Sequence, residues 1–317
     1  MSGRALVTGG AGFIGSHLCE ALVAAGYSVR VLDDFSGGDA ANLAAVEGSV
    51  EVIRGDCRRE DDARNAVEGC DVVFHEAALP SVQRSVEDPA LSHSINLDAT
   101  LTMLRAAVAA KVGRFVFAGS SSAYGESEEL PKRETLAPEP LSPYAAQKLA
   151  SEAYCRAFAR CFDLHTVVLR YFNVYGPRQD PSSPYSGVIS LFVTSLLDGR
   201  APTIYGDGEQ TRDFVYVDDV ARANLAAATA DVPRGSVINV AGGRRVSVNE
   251  LFRTVRAQVG GAAAGLEPTY APPRTGDVRH SLADLSRARR GLGWEPEVPL
   301  DAGIAETVRQ YRKEKKS

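Results

Sequence analysis

Short runs of β-branched and aromatic residues alternate with segments of helical periodicity through the first half of the chain. RALVTG (4–9), SVRVLD (28–33), VEVIRGD (50–56), DVVFHEAA (71–78), RFVFAGS (114–120) and HTVVLRYF (165–172) are apolar, flanked by Gly or Asp, and read as strands. Between them, GSHLCEALVAAG, DDARNAVEG, NLDATLTMLRAAVAA and YAAQKLASEAYCRAFAR carry apolar residues at helical spacing. Strands separated by helices predict right-handed βαβ units, a parallel sheet and a doubly wound α/β fold.

After about residue 173 the pattern loosens. Pro, Ser and Gly cluster in YGPRQDPSSPYSG, RAPTIYGDGEQTRD and YAPPRTGDVRHS, between the helical segments VISLFVTSLLDG, VDDVARANLAAATA and SVNELFRTVRAQV and the strand SVINVAGG. The expected division is an α/β domain over 1–173 and a smaller C-terminal lobe over 174–317, some of whose segments return to the first. Loops of this kind suit the reading of a variable substrate. No internal repeat is present, and GGAAAG (260–265) reads as a surface turn.

Composition narrows the classes. Of 317 residues 44% are hydrophobic and 24% charged, an ordinary globular balance, and the net charge of −5 offers no basic field to nucleic acid or an anionic membrane. No apolar run is long enough to span a bilayer, and no segment reads as a secretory signal. The five cysteines form no C-x-x-C pair and the five histidines show no ligand spacing, so reduced thiols and no metal site are expected. The chain reads as a soluble cytosolic protein, and the basic RKEKKS at its end as a solvated helix terminus.

VTGGAGFIGSHL follows the first strand at once and opens a helix, with Gly9, Gly12 and Gly15 spaced G-x-x-G-x-x-G. Glycines let the backbone turn sharply and let a pyrophosphate approach the helix N-terminus, whose free N–H groups and dipole favour an anion. The next strand ends in Asp33, where a carboxylate accepts from the ribose hydroxyls and repels a 2′-phosphate, which favours NAD over NADP. Arg30 upstream reads as solvated. Asp56 either contacts the adenine amino group or caps a helix.

In SPYAAQKLA (142–150), Tyr144 and Lys148 share one helix face at i and i+4. A free tyrosine, with a pKa of about 10, is a poor base at neutral pH. A nearby ammonium and an oxidised nicotinamide would both favour the phenolate, and Tyr144 could then take a hydroxyl proton as hydride leaves the same carbon. Alone, such a pair is ordinary helix surface. Here it follows GSSSAYG, a hydroxyl-rich strand end where parallel sheets place ligands, although serines there also cap turns.

The glycine spacing followed by Tyr-x-x-x-Lys resembles the short-chain dehydrogenase/reductase superfamily, in its extended, sugar-nucleotide-modifying branch of NAD-dependent epimerases and dehydratases. The chain is most similar there to the UDP-glucose 4-epimerase group, over nearly its whole length: VTGGAGFIGSHL, HEAA, SSSAYGE, YAAQK, LRYFNVYGP, YGDGEQTRDFVYVDD, NVAGG, RTGDVRHS and LGWEP fit in order. The resemblance implies a Rossmann domain with a smaller sugar-nucleotide lobe, and a homodimer through the helices near 97–110 and 144–161. It implies Ser120 as the catalytic hydroxyl beside Tyr144 and Lys148. Around NAD it implies Phe13, Ile14, Asp34, Cys57, Ala77, Ala78, Asn96, Tyr171 and Phe172, in addition to the glycines, Asp33 and Asp56.

For a UDP-sugar the resemblance implies Ser81, Ser121, Ser122, Asn173, Gly187, Val188, Thr203, Tyr205, Arg212, Arg274, Asp277 and Ser281. Arg212 and Arg274 would grip the pyrophosphate, whose oxygens suit a planar fork of donors, and Asp277 would hold the uridine ribose. Thr203 and Tyr205 would wall the uracil. Dehydratases and decarboxylases of the superfamily carry acidic residues just after the Ser/Thr position, because elimination needs a carboxylic acid and a carboxylate. Here those positions are Ser121 and Ser122, which disfavours dehydration and leaves 4-epimerisation. LPSVQRS after HEAA lacks a lysine found in some members, so Ser81, Arg84 and Ser85 could touch a charged sugar such as a glucuronate. A UDP-glucuronate 4-epimerase or a reductase is the enzymatic alternative. A non-enzymatic NAD sensor is the other, and it would have no use for Tyr144, Lys148 and Ser120. Ser281 stands where a small residue leaves room for an N-acetyl group, and it could equally cap a helix SLADLSRA.

Overall fold

The computed structural model describes residues 3–180, 187–273 and 278–315. The six apolar runs form β1 (Arg4–Thr8), β2 (Ser28–Asp33), β3 (Val50–Arg54), β4 (Val72–His75), β5 (Arg114–Ser120) and β6 (His165–Tyr171). The helices between them are α1 (Phe13–Ala24), α2 (Glu60–Val67), α3 (Val82–Glu87), α4 (Pro89–His93), α5 (Ala99–Ala109) and α6 (Pro143–Cys161). Asn173 does not merely trail β6: it opens a separate strand, β7 (Asn173–Tyr175). There follow α7 (Val188–Leu197), β8 (Thr203–Tyr205), β9 (Thr211–Tyr216), α8 (Val217–Thr229), β10 (Ser236–Val240), β11 (Arg245–Ser247), α9 (Val248–Val259), β12 (Thr269–Ala271) and α10 (Leu300–Glu314).

Among the described residues β10, β6, β5, β4, β1, β2 and β3 lie side by side in one parallel sheet, a doubly wound Rossmann arrangement. Strand alternation sends Val7, Phe74, Val116 and Leu169 to one face, beneath α1 and α8, and Leu6, Val73, Phe117 and Val168 to the other, beneath α2, α5 and α6. Each face thus buries its own apolar layer. A third core, with Phe192, Phe214, Leu251 and Ile304, lies among α7, α9, α10 and β9. Strand β10 and helix α8 come from beyond residue 173 yet belong to the large sheet, because β10 pairs with β6. No described helix is long and apolar enough to cross a membrane, and no group of three His, Cys, Asp or Glu among the described residues is placed to hold a metal.

Sequence order reverses between β1 and β4, so the C-terminal ends of these strands diverge into a crevice. The glycine turn, Glu76 to Ala78, and the Ser120 turn all open onto that edge.

Candidate active site

The turn between β1 and α1 is built for close approach. Gly9 has φ +68°, and a Cβ there would lie 2.8 Å from the backbone of Ala77; one at Gly15 would lie 2.1 Å from the Gly9 carbonyl oxygen. Helix α1 opens at Gly12 without a capping side chain, so its first amides, from Phe13 onward, are free to meet an anion. Asp33 is buried at the end of β2; its Oδ2 accepts from Ala11 N (2.9 Å) and its Oδ1 from Phe35 N (2.8 Å). Burial pushes this carboxyl above its usual range, and the two amides oppose the shift. A cradle that a Cβ would fill, uncapped amides and a carboxylate at the strand end fit a dinucleotide with an unphosphorylated ribose.

The structure changes the reading of Arg30, removes one of the two alternatives for Asp56, and places the other residues. Arg30 is not solvated: it is buried, paired with Glu51 (2.9 Å), and donates to the carbonyls of Asn65, Ala66 and Glu68. Asp56 caps no helix, since α2 begins at Glu60; it is held by Arg58 at 2.6 Å, which keeps its carboxyl below the usual range. Asp34 accepts from Ser36 N, and Cys57 is buried. The Ala77 amide donates to Thr8 Oγ1, and Ala78 is half-buried beside it. Asn96 is buried, with its amide engaged by Leu79, Ser92 and Gln147, so it ties the loop after β4 to α6.

Ser142 caps α6 and Pro143 takes the first helical position, which fixes Tyr144 in the opening turn. The Tyr144 amide donates to Ser85 Oγ (3.1 Å), while Ser81 caps α3 through Arg84 N. The 81–85 loop therefore packs on the backbone that carries the tyrosine. Ser122 Oγ donates to Ser120 Oγ (2.8 Å), Ser121 is half-buried beside them, and Ser120 is hydrogen-bonded to the Tyr144 phenol. Burial pushes that phenol above its ordinary pKa and the Ser120 contact pulls the other way. The Lys148 ammonium donates to the Ala118 carbonyl (2.9 Å) and lies 4.9 Å over the Phe117 ring. Burial brings Lys148 itself down to about 8, against the attraction of Glu76.

Tyr171 and Phe172 are buried; Tyr171 donates to Glu76 Oε1 (2.7 Å) and accepts from Asn224. Sequence reasoning treated HEAA only as a landmark and missed Glu76. An acidic residue at the end of a central strand was the signal.

On the other wall, Arg212 donates to the Thr211 carbonyl, and Ser281 N donates to that same carbonyl, so β9 brings Arg212 and Ser281 together. Ser281 is half-buried and lies outside any helix or strand; it caps no helix, since Asp284 accepts from Ser286 N instead. Thr203 meets Thr269 across β8 and β12 (3.1 Å), and Tyr205 is exposed next to it. Asn173 is exposed, and Gly187 and Val188 begin α7. Arg274 and Asp277 lie outside the described residues. Asp213 was also missed. It is buried and accepts from Gly243 N and Ala283 N, tying β9 to the segment that leads to Ser281. A cavity of about 480 Å³ lies beside α6 against Glu152, Arg156, Arg170 and Arg287, and none of the expected site residues lines it.

The model of the NAD-dependent epimerase/dehydratase family covers residues 5–241. A UDP-glucose 4-epimerase of Mycolicibacterium smegmatis is 42% identical over 98% of both chains. The UDP-glucose 4-epimerase of Thermotoga maritima, solved with UDP-glucose, is 41% identical, with a TM-score of 0.93 over 98% of this chain and 99% of that one. A UDP-N-acetylglucosamine 4-epimerase of Methanobrevibacter ruminantium, solved with UDP-N-acetylmuramic acid, is 38% identical, with a TM-score of 0.94 over 99% of each. The chain belongs to the NAD-dependent epimerase/dehydratase family, and its cofactor is NAD.

Proposed function

We propose that this protein is a UDP-hexose 4-epimerase, acting on UDP-glucose and UDP-galactose and, through the small Ser281, on their N-acetylated counterparts. The observation that carries the reading is the Ser120–Tyr144 contact at the end of β5, in a turn whose residues Ser120–Tyr124 hold no carboxylate. Bound NAD supplies a reversible hydride acceptor for the sugar C4. Tyr144 takes the C4 hydroxyl proton and later returns it; Ser120 holds both oxygens in line; the Lys148 ammonium favours the phenolate once the crevice is closed to water. Arg212, with Arg274, holds the diphosphate while the sugar turns over. The lobe after residue 173 carries most of the sugar-nucleotide contacts in this reading.

Support for a homodimer comes from exposed apolar side chains on α3, α4 and α6: Val82, Val86, Leu91 and Tyr154. Sedimentation of the purified protein tests that part. The activity is tested by adding UDP-glucose, UDP-GlcNAc or UDP-glucuronate without cofactor and following the sugar C4 by proton NMR. Interconversion of both neutral pairs is expected. Action on the uronate alone, or a dehydrated product, would replace this reading.

A further inference from the structure

The mechanism above makes no use of Glu76. This residue follows β4 at the reversal of strand order, where its neighbour Ala77 is pressed against Gly9. The Tyr171 hydroxyl lies 2.7 Å from Glu76 Oε1, and Asn224 Nδ2 lies 2.7 Å from the Tyr171 oxygen. Asn224 brings its own proton, so the single phenolic proton of Tyr171 points to Glu76. The direction of this chain is fixed and Oε1 can only accept. The other oxygen, Oε2, has no hydrogen bond to a described residue, and the residue stands just past the C-terminal end of β4, where the crevice opens. Glu76 itself is half-buried. Burial pushes its carboxyl up to about 7, while the Tyr171 hydrogen bond and the Lys148 charge oppose the shift. The donated phenolic proton and the nearby Lys148 charge both favour the carboxylate over the acid.

A carboxylate at the floor of a dinucleotide crevice acts unequally on the two forms of the cofactor. Oxidised nicotinamide carries a positive charge and the reduced ring carries none, and a low-dielectric setting magnifies the difference. We propose that Glu76 selects the redox state of the bound dinucleotide, its carboxylate favouring NAD+ over NADH and so holding the protein in the form that begins each turnover. The proposal rests on the NAD site described above.

The test is calorimetric titration of cofactor-stripped protein with NAD+ and with NADH. Glu76→Gln keeps the size of the side chain and an acceptor for Tyr171 but removes the charge. The ratio of NAD+ to NADH affinity is expected to fall roughly tenfold in this variant, and Glu76→Asp, which keeps the charge, should recover most of it. Equal weakening of both forms, or no change in the ratio, would overturn the role of Glu76 alone. Wild-type protein that binds neither form would overturn the dinucleotide site as well. Matching thermal unfolding of the variants excludes misfolding as the cause of a changed ratio.

Discussion

Arg170 on β6 grips Glu152 on α6 through two parallel hydrogen bonds of 2.8 Å, with both side chains buried. Glu152 lies one turn beyond Lys148, so this fork ties the helix bearing Tyr144 and Lys148 to the sheet. Glu152→Ala would leave the guanidinium unpaired in the interior, where Nη1 already lacks a partner. It should cost about 3–5 kcal/mol, read as a lower urea midpoint, and lower turnover through misplacement of α6. An unchanged midpoint would show that the pair has no structural role.

If Tyr144 moves the proton, Tyr144→Phe should lower turnover by roughly three orders of magnitude, the range of a lost general base, with NAD binding retained. Ser120→Ala should lower it less. Turnover of the phenylalanine variant near that of the unmodified protein would remove the tyrosine from the chemistry.

Lys148 makes two pH-dependent contributions of opposite sign. Its folded pKa, about 8, lies below its ordinary value of 10.5. The folded state therefore sheds this proton first, and the cost of burying the charge is present below pH 8 and relieved as pH rises toward 10.5. Stability attributable to this residue should rise across that window, while turnover should fall above about pH 8 as the ammonium is lost. Thermal unfolding of Lys148→Met should lack the rise; an identical pH dependence in both proteins would contradict the assignment.

Asp33 combines ribose recognition with a structural duty. Asp33→Ala should weaken NAD binding and relax discrimination against NADP, since acceptor and repulsive charge vanish together. The Ala11 and Phe35 amides lose their acceptor as well, which should lower the unfolding temperature. A wild-type preference for NADP in calorimetry would refute the selection argument.

The Ser281 amide is held by the Thr211 carbonyl and the residue has no capping duty, so a bulky side chain there does not disturb a helix start. Ser281→Tyr should abolish epimerisation of UDP-GlcNAc yet spare UDP-glucose. Retained activity toward UDP-GlcNAc would show that this position does not set pocket size.

Some contacts could not be read from the chain because their partners are far apart in it. Arg30 looks like a surface residue in SVRVLD until β3 and the end of α2 supply Glu51 and three carbonyls. Ser85 looks like a substrate contact until α6 places the Tyr144 amide beside it, 59 residues later. Ser281 matches a helix start in its local pattern, but the bond from its amide to Thr211 on β9 holds it outside a helix.

What the sequence by itself determined is local: strands and helices of the first half, the glycine turn, Asp33 at a strand end, and the Tyr144–Lys148 spacing. Each depends on residues a few positions apart, where propensity and periodicity act directly. Only the tertiary structure decided that β10 completes the large sheet, that Asp213 fastens the Ser281 segment to β9, and that Tyr171 donates to a carboxylate 95 residues away. A buried polar group takes whichever partner the fold brings within hydrogen-bond reach, and that choice is made by packing rather than by neighbours in the chain.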